Sequence, residues 1–88
     1  MNSISLAESI KNKILFKIDP QAKVEITDDT YKHIKHKGYI EGKYHFTLNI
    51  TSSKLSCITK VKAHKLIFKA IEDIMPHIHA LSIKIKQE

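Results

Sequence analysis

The sequence predicts a two-layer α+β domain over residues 1–88, with helices packed on one face of a three-stranded mixed sheet. Three observations lead there. Residues 4–17 and 59–75 place apolar side chains three and four positions apart, the period of a helix with one buried face. Residues 24–27, 44–51 and 81–85 alternate apolar with polar side chains, the period of a strand with one buried face. The order is helix, strand, strand, short turn, helix, strand, and 88 residues have room for one such core.

Ser5 and Glu8 have the form of a capping box at the start of the first helix. Leu6, Ile10, Ile14 and Ile18 carry its apolar face up to the stop at Asp19-Pro20. Val24 and Ile26 alternate with Lys23, Glu25 and Thr27 in a short strand that Asp28-Asp29-Thr30 ends. From Tyr31 to Lys43 the periodicity disappears, charge accumulates and both glycines occur, which reads as an exposed connection. Tyr44, Phe46, Leu48 and Ile50 then alternate with His45, Thr47, Asn49 and Thr51 in the clearest strand of the chain, its polar face turned to solvent. A turn through Cys57 leads to a helix capped by Thr59, with Val61, His64, Phe68, Ile71 and Met75 as its stripe, widened by Leu66, Ile67, Ala70 and Ile74. Pro76 ends that helix, and Leu81, Ile83 and Ile85 mark the last strand.

Apolar residues at 42% and charged residues at 27% describe an ordinary globular domain. No apolar run is long enough to span a bilayer, and the first residues lack the basic-then-apolar pattern of a signal peptide, so a cytoplasmic protein without a membrane partner is expected. The single cysteine, Cys57, excludes an internal disulfide, fits a reducing compartment, and reads as a small buried residue beside Leu55 and Ile58. The net charge of +6 arises from fifteen lysines with no arginine. Such a surface attracts polyanions or acidic partners, yet lacks the planar fork that reads guanine best.

Six histidines in so short a chain point to metal, because imidazole is the commonest metal ligand. Taken singly, several have simpler readings. His45 alternates away from the apolar face of its strand and reads as a surface residue, while His64 lies on the helix stripe and reads as a packed histidine. His77 sits where a helix dipole ends, and His79 reads as a strand-start residue sharing a face with Leu81.

The segments Val24-Glu25-Ile26-Thr27-Asp28-Asp29-Thr30-Tyr31-Lys32-His33, Tyr44-His45-Phe46, Lys62-Ala63-His64-Lys65-Leu66-Ile67-Phe68 and Ile78-His79-Ala80-Leu81-Ser82-Ile83 together resemble the BolA family in order and spacing, from about residue 6 to 86. The resemblance implies a fold similar to the class II KH domain. It also implies a monothiol glutaredoxin partner, with which BolA proteins share a 2Fe-2S cluster held by thiols of the glutaredoxin and glutathione and by imidazole from the BolA side. Carried over by position, the ligand at the helix-to-strand junction is His79. The loop ligand, histidine or cysteine in different members, matches His33, with His36 competing for that place; His36 and His64 are additional candidates for metal or partner contact. One cysteine and these imidazoles do not complete a cluster, so no cofactor is expected in the isolated chain. The shared cluster would serve iron–sulfur maturation, trafficking or iron sensing. The chain departs from the family at Ala63 and Lys65, where arginines often flank the helix histidine, at Leu55-Ser56-Cys57, where Phe-x-Gly is usual, and in having Lys86-Gln87-Glu88 where a Thr-Pro-x-Glu-Trp tail is usual.

The alternative is a DNA-binding transcriptional regulator. A turn from Ser53 to Thr59 followed by a helix bearing Lys60, Lys62, Lys65 and Lys69 has the outline of a helix-turn-helix with a basic recognition helix. Ser56-Cys57-Ile58-Thr59 has no glycine where KH domains clamp RNA with Gly-x-x-Gly, so that mode is not expected. No nucleophile, base and orienting acid recur at a workable spacing, so an enzyme is not expected either. Homodimer formation is left open.

Overall fold

The computed structural model describes residues 2–30 and 44–87. The chain runs α1 (Ser3–Lys17), β1 (Lys23–Asp28), β2 (Tyr44–Thr51), α2 (Ser53–Ser56), α3 (Lys60–Ala70), a 3-10 turn at Met75–His77, and β3 (Ile78–Lys86). The strands lie in the order β1-β2-β3. β1 and β2 pair antiparallel with Lys23 opposite Thr51 and Asp28 opposite Phe46, whereas β2 and β3 pair parallel, so the sheet is mixed as the element order predicts.

β2 presents Phe46, Leu48 and Ile50 to the helices, flanked by Val24 of β1. Against them pack Leu6, Ile10 and Ile14 of α1, Leu55 of α2, and Ala63, Ile67 and Ala70 of α3. Leu6, Ile10, Ile14, Leu48, Ile50 and Ile67 are all at 0% exposure, so the middle of the core is dry on both layers.

Three helix details differ from the sequence expectation. α1 is capped by Asn2, whose side-chain oxygen accepts the Ser5 N–H at 2.8 Å; Ser5 lies inside the helix as the donor of that bond, because asparagine is at least as good a cap and comes first in the chain. In α3 the Thr59 cap holds, its hydroxyl accepting the Lys62 N–H at 3.2 Å, but the buried stripe is Ala63, Ile67 and Ala70. Val61 at 64% and Phe68 at 38% exposure lie outside it, and His64 is half-buried. The small side chains of Ala63 and Ala70 let α3 pack closely against α1 and α2, so this rotation wins over the one that would bury Val61 and Phe68. α3 also ends at Ala70, six residues before Pro76. The chain then turns so that Ile71, Ile74 and Ile78 all enter the core on the way into β3.

Ser52 locks the two layers together. Its buried hydroxyl accepts the Leu55 N–H at 3.1 Å, capping α2, and donates to the Asp19 carboxylate at 2.6 Å. Asp19 also accepts the Gln21 N–H at 2.9 Å, shaping the turn after α1, while Lys54 Nζ donates to the Ile18 carbonyl at 2.8 Å. The Ser52 hydrogen bond, helped by the Gln21 amide and the Lys54 charge, holds the Asp19 carboxyl below its usual value of 3.8 against the opposing effect of burial. A carboxylate with a lowered folded-state pKa stabilises the fold above its unfolded pKa, and that contribution disappears as pH falls through the folded value.

Ser52→Ala is therefore expected to lose at least the ~1 kcal/mol of a helix cap near pH 7. It should also shift the acid-unfolding midpoint to higher pH, with the gap between wild type and variant narrowing below about pH 4. Urea titrations at several pH values check both, and a pH-independent gap would separate Asp19 from the effect.

Candidate functional site

The register of β3 against β2 breaks once. Tyr44 pairs with Ile78, the next residue, His45, pairs with Ala80, and from there the ladder runs evenly to Thr51 opposite Lys86. His79 is the extra residue of this β-bulge. The bulge resets the alternation: Ile78, at 5% exposure, and Leu81 both face the core although they are three residues apart, and His79 is exposed. This corrects the expectation that His79 shares a face with Leu81, which holds only for an unbroken strand.

His45 is the larger correction. Period-2 reading of β2 makes it a surface residue, but it is buried at 8% exposure, and its ring lies 4.8 Å from that of His79, tilted by 49°. The bulge turns His79 across the polar face of the sheet onto His45. No signal within β2 gives this away; it would have required foreseeing the bulge in another strand.

The main chain around His45 is held at both ends. Its N–H donates to the Thr30 hydroxyl at 3.1 Å, and its carbonyl accepts the Asp29 N–H at 2.7 Å, so the β1–β2 ladder continues past Asp28. Asp28 accepts both the N–H and the hydroxyl of Thr30, and Asp29 accepts the Thr47 hydroxyl. Thr30, which precedes residues 31–43, is thereby tied to the main chain of His45.

His33 and His36 lie outside the described residues. Among the described residues no group of three or more histidine, cysteine, aspartate or glutamate side chains gathers into a metal site. His64 lines a groove with Ile83 and Ile85, several residues along β3 from His79. His77 lies in the 3-10 turn and is exposed. Cys57 is exposed rather than buried: it is the C-cap of the one-turn α2, and Leu55, at 1% exposure, takes the inward position. The lysines of α3 divide. Lys62, Lys65 and Lys69 flank a shallow depression floored by Ile58 and Leu66, whereas Lys60 opens onto the groove of His64.

A family model described as BolA-like protein matches residues 16–88, most of the chain and all of the sheet. The chain belongs to the BolA family. It is 32% identical over 83 residues to SufE-like protein 1, chloroplastic/mitochondrial, of Arabidopsis thaliana, an alignment that covers 88% of this chain and 22% of that protein. Among solved structures, the BolA domain of SufE1 from Arabidopsis thaliana superposes with a TM-score of 0.73 at 32% identity, covering 99% of this chain and 94% of that one. BolA1 from Arabidopsis thaliana gives 0.73 at 28% identity, covering 92% and 89%. BolA1 of Mus musculus, 20% identical with a TM-score of 0.70 over 93% of this chain and 64% of that one, shares the fold. The α+β architecture read from the sequence is thus the BolA architecture. No helix among the described residues is long and apolar enough to cross a membrane.

The bulge makes adjacent residues differ sharply. Ile78→Ala is expected to cost about 2–5 kcal/mol as a core truncation, and His79→Ala to stay within about 0.5 kcal/mol as a change at an exposed position. Denaturant unfolding of the two variants checks this, and a large loss from His79→Ala would place the imidazole in the core.

Proposed function

We propose that this BolA-family chain is an adaptor that docks a monothiol glutaredoxin and supplies His79, with His33 from the segment between β1 and β2, as ligands to a shared 2Fe-2S cluster. The observation that carries the reading is the geometry of His79. A bulge residue at the start of a strand, exposed and backed by the buried His45 ring, has its direction limited by the backbone and by its neighbour while one face stays open to a partner. That is what an imidazole contributed to a metal held between two proteins requires.

The donor set is consistent with sharing. Iron–sulfur clusters favour thiolates, and when bound the cluster would supply its own electron and sulfur chemistry. The described part of this chain provides exposed imidazole at the site, so thiolate ligation would come from the partner. His33 is three residues beyond Thr30, a reach of about 11 Å at most, and Thr30 is hydrogen-bonded to the His45 main chain. His36 has twice that length of chain and remains the competing second ligand. Delivery of the cluster in maturation or trafficking, and sensing of iron, both follow from reversible co-ligation; neither needs catalytic groups in this chain.

Mixed with cluster-loaded monothiol glutaredoxin, the wild type is expected to change the visible circular dichroism of the cluster, and His79→Ala to lose that change. His33→Ala and His36→Ala, compared side by side, identify the second ligand. A His79→Ala spectrum identical to that of the wild-type complex would overturn the assignment.

A second reading, a DNA-binding regulator, is favoured by one observation: Lys62, Lys65 and Lys69 share one exposed side of α3. The outline of a helix-turn-helix is weaker than the sequence reading expects, since α2 is a single turn and Lys60 faces the other groove. If this reading holds, duplex DNA should shift in a mobility assay at physiological salt, and Lys62→Ala with Lys65→Ala should weaken the shift and lower its salt slope by about two. Binding that vanishes at that salt leaves only general lysine attraction.

A further inference from the structure

β3 is an edge strand of the sheet, and among the described residues it pairs only with β2. The Ser52 N–H donates to the Lys86 carbonyl at 2.9 Å, which sets the parity of the strand. The backbone groups of Lys86, Lys84 and Ser82 turn toward β2, and by alternation those of Ile83 and Ile85 turn outward. Beside this outward edge lies an open cavity of about 500 Å³. One wall is Ile83 and Ile85, both partly buried; the opposite wall is Leu55 of α2 with Ala63 and His64 of α3. Lys60, Lys84 and Lys86 border it, and all three are exposed.

A bare edge with lysines has a simple explanation, protection against edge-to-edge association. That explanation accounts for Lys84 and Lys86 but not for a groove under the edge with apolar walls. We propose that the outer edge of β3 is a docking site for an extended peptide segment of another protein, one that alternates acidic and apolar residues and adds to the sheet as a fourth strand. Its backbone pairs with the outward groups of Ile83 and Ile85. Its apolar alternates point to the helix side of the sheet and fill the groove against Leu55 and Ala63. Its acidic alternates lie on the polar face, level with Lys84 and Lys86, with Lys60 at the groove mouth.

Charge selects this occupant over a second copy of the chain. Two β3 strands side by side would line four lysines along one seam, and like charges across a strand pair are destabilising. An acidic strand reverses that sign, and the net charge of +6 adds long-range attraction. The site lies at the end of β3 away from His79, so it is independent of the cluster reading: a partner could occupy both, and His79→Ala leaves this site intact.

The test uses a fluorescein-labelled, end-capped peptide of alternating valine and glutamate, about nine residues long to match β3. Saturable anisotropy binding is expected for the wild-type chain and for His79→Ala. The double variant Lys84→Glu with Lys86→Glu, its fold checked by far-ultraviolet circular dichroism, should bind at least about tenfold more weakly and gain affinity for a valine–lysine peptide. Hydrogen exchange should slow at the Ile83 and Ile85 amides when the peptide is bound. The proposal is overturned by absence of saturable binding, by equal binding of a peptide with proline at alternate positions, by unchanged exchange at Ile83 and Ile85, or by sedimentation showing that β3 is already covered in a homodimer.

Discussion

The structure depends on β2 being paired along both edges. An antiparallel partner on one side and a parallel partner on the other hold its backbone along nearly its whole length, so its two faces become the two environments of the protein. Phe46, Leu48 and Ile50 on one face define where both long helices must pack. His45 on the other defines where a polar site can form. A strand fixed on both sides cannot slip in register without exchanging these faces, and every apolar side chain it buries opposes that slip.

The site follows from one irregularity against that fixed strand. Ile78 has to fill the core where the chain leaves the turn at Met75–His77, and Leu81 has to fill it again along β3; three residues separate them, while an unbroken strand allows two or four. The bulge resolves the mismatch by leaving His79 unpaired, outside the core and against His45. Packing on the inner face thus determines the position of the imidazole on the outer face. The Ser52–Asp19 lock acts in the same indirect way at the opposite end of the sheet, joining the end of α1 to the cap of α2 and holding the helix layer over β2.

The lysines illustrate how one composition serves separate surfaces. Lys13 closes α1 onto the turn after α3 through a 2.9 Å ion pair with Asp73, whose carboxyl it holds below the ordinary value. Lys54 satisfies a carbonyl at the end of α1. Lys62, Lys65 and Lys69 lie on one side of α3, and Lys60, Lys84 and Lys86 surround the groove beside β3. A sequence with fifteen lysines and no arginine reads as a single basic character, whereas the folded chain distributes it over structural contacts and two distinct outer faces.

By itself, the sequence determined the element order, the boundaries of β2, the Thr59 cap, the inward residues of α1 and the family resemblance that singles out His79. These are local properties, set by period, capping chemistry and order along the chain. Tertiary structure alone decided which of two apolar stripes α3 buries, that Cys57 faces outward, that the helix stops at Ala70, and that His45 is buried against His79. Each of these depends on what a neighbouring element offers: room for close approach at Ala63 and Ala70, a one-turn α2 that sends Leu55 inward, and a bulge in β3 that acts on β2 across the sheet. Period along a single strand cannot register an extra residue in its partner, and for that reason the histidine pair became visible only in the fold.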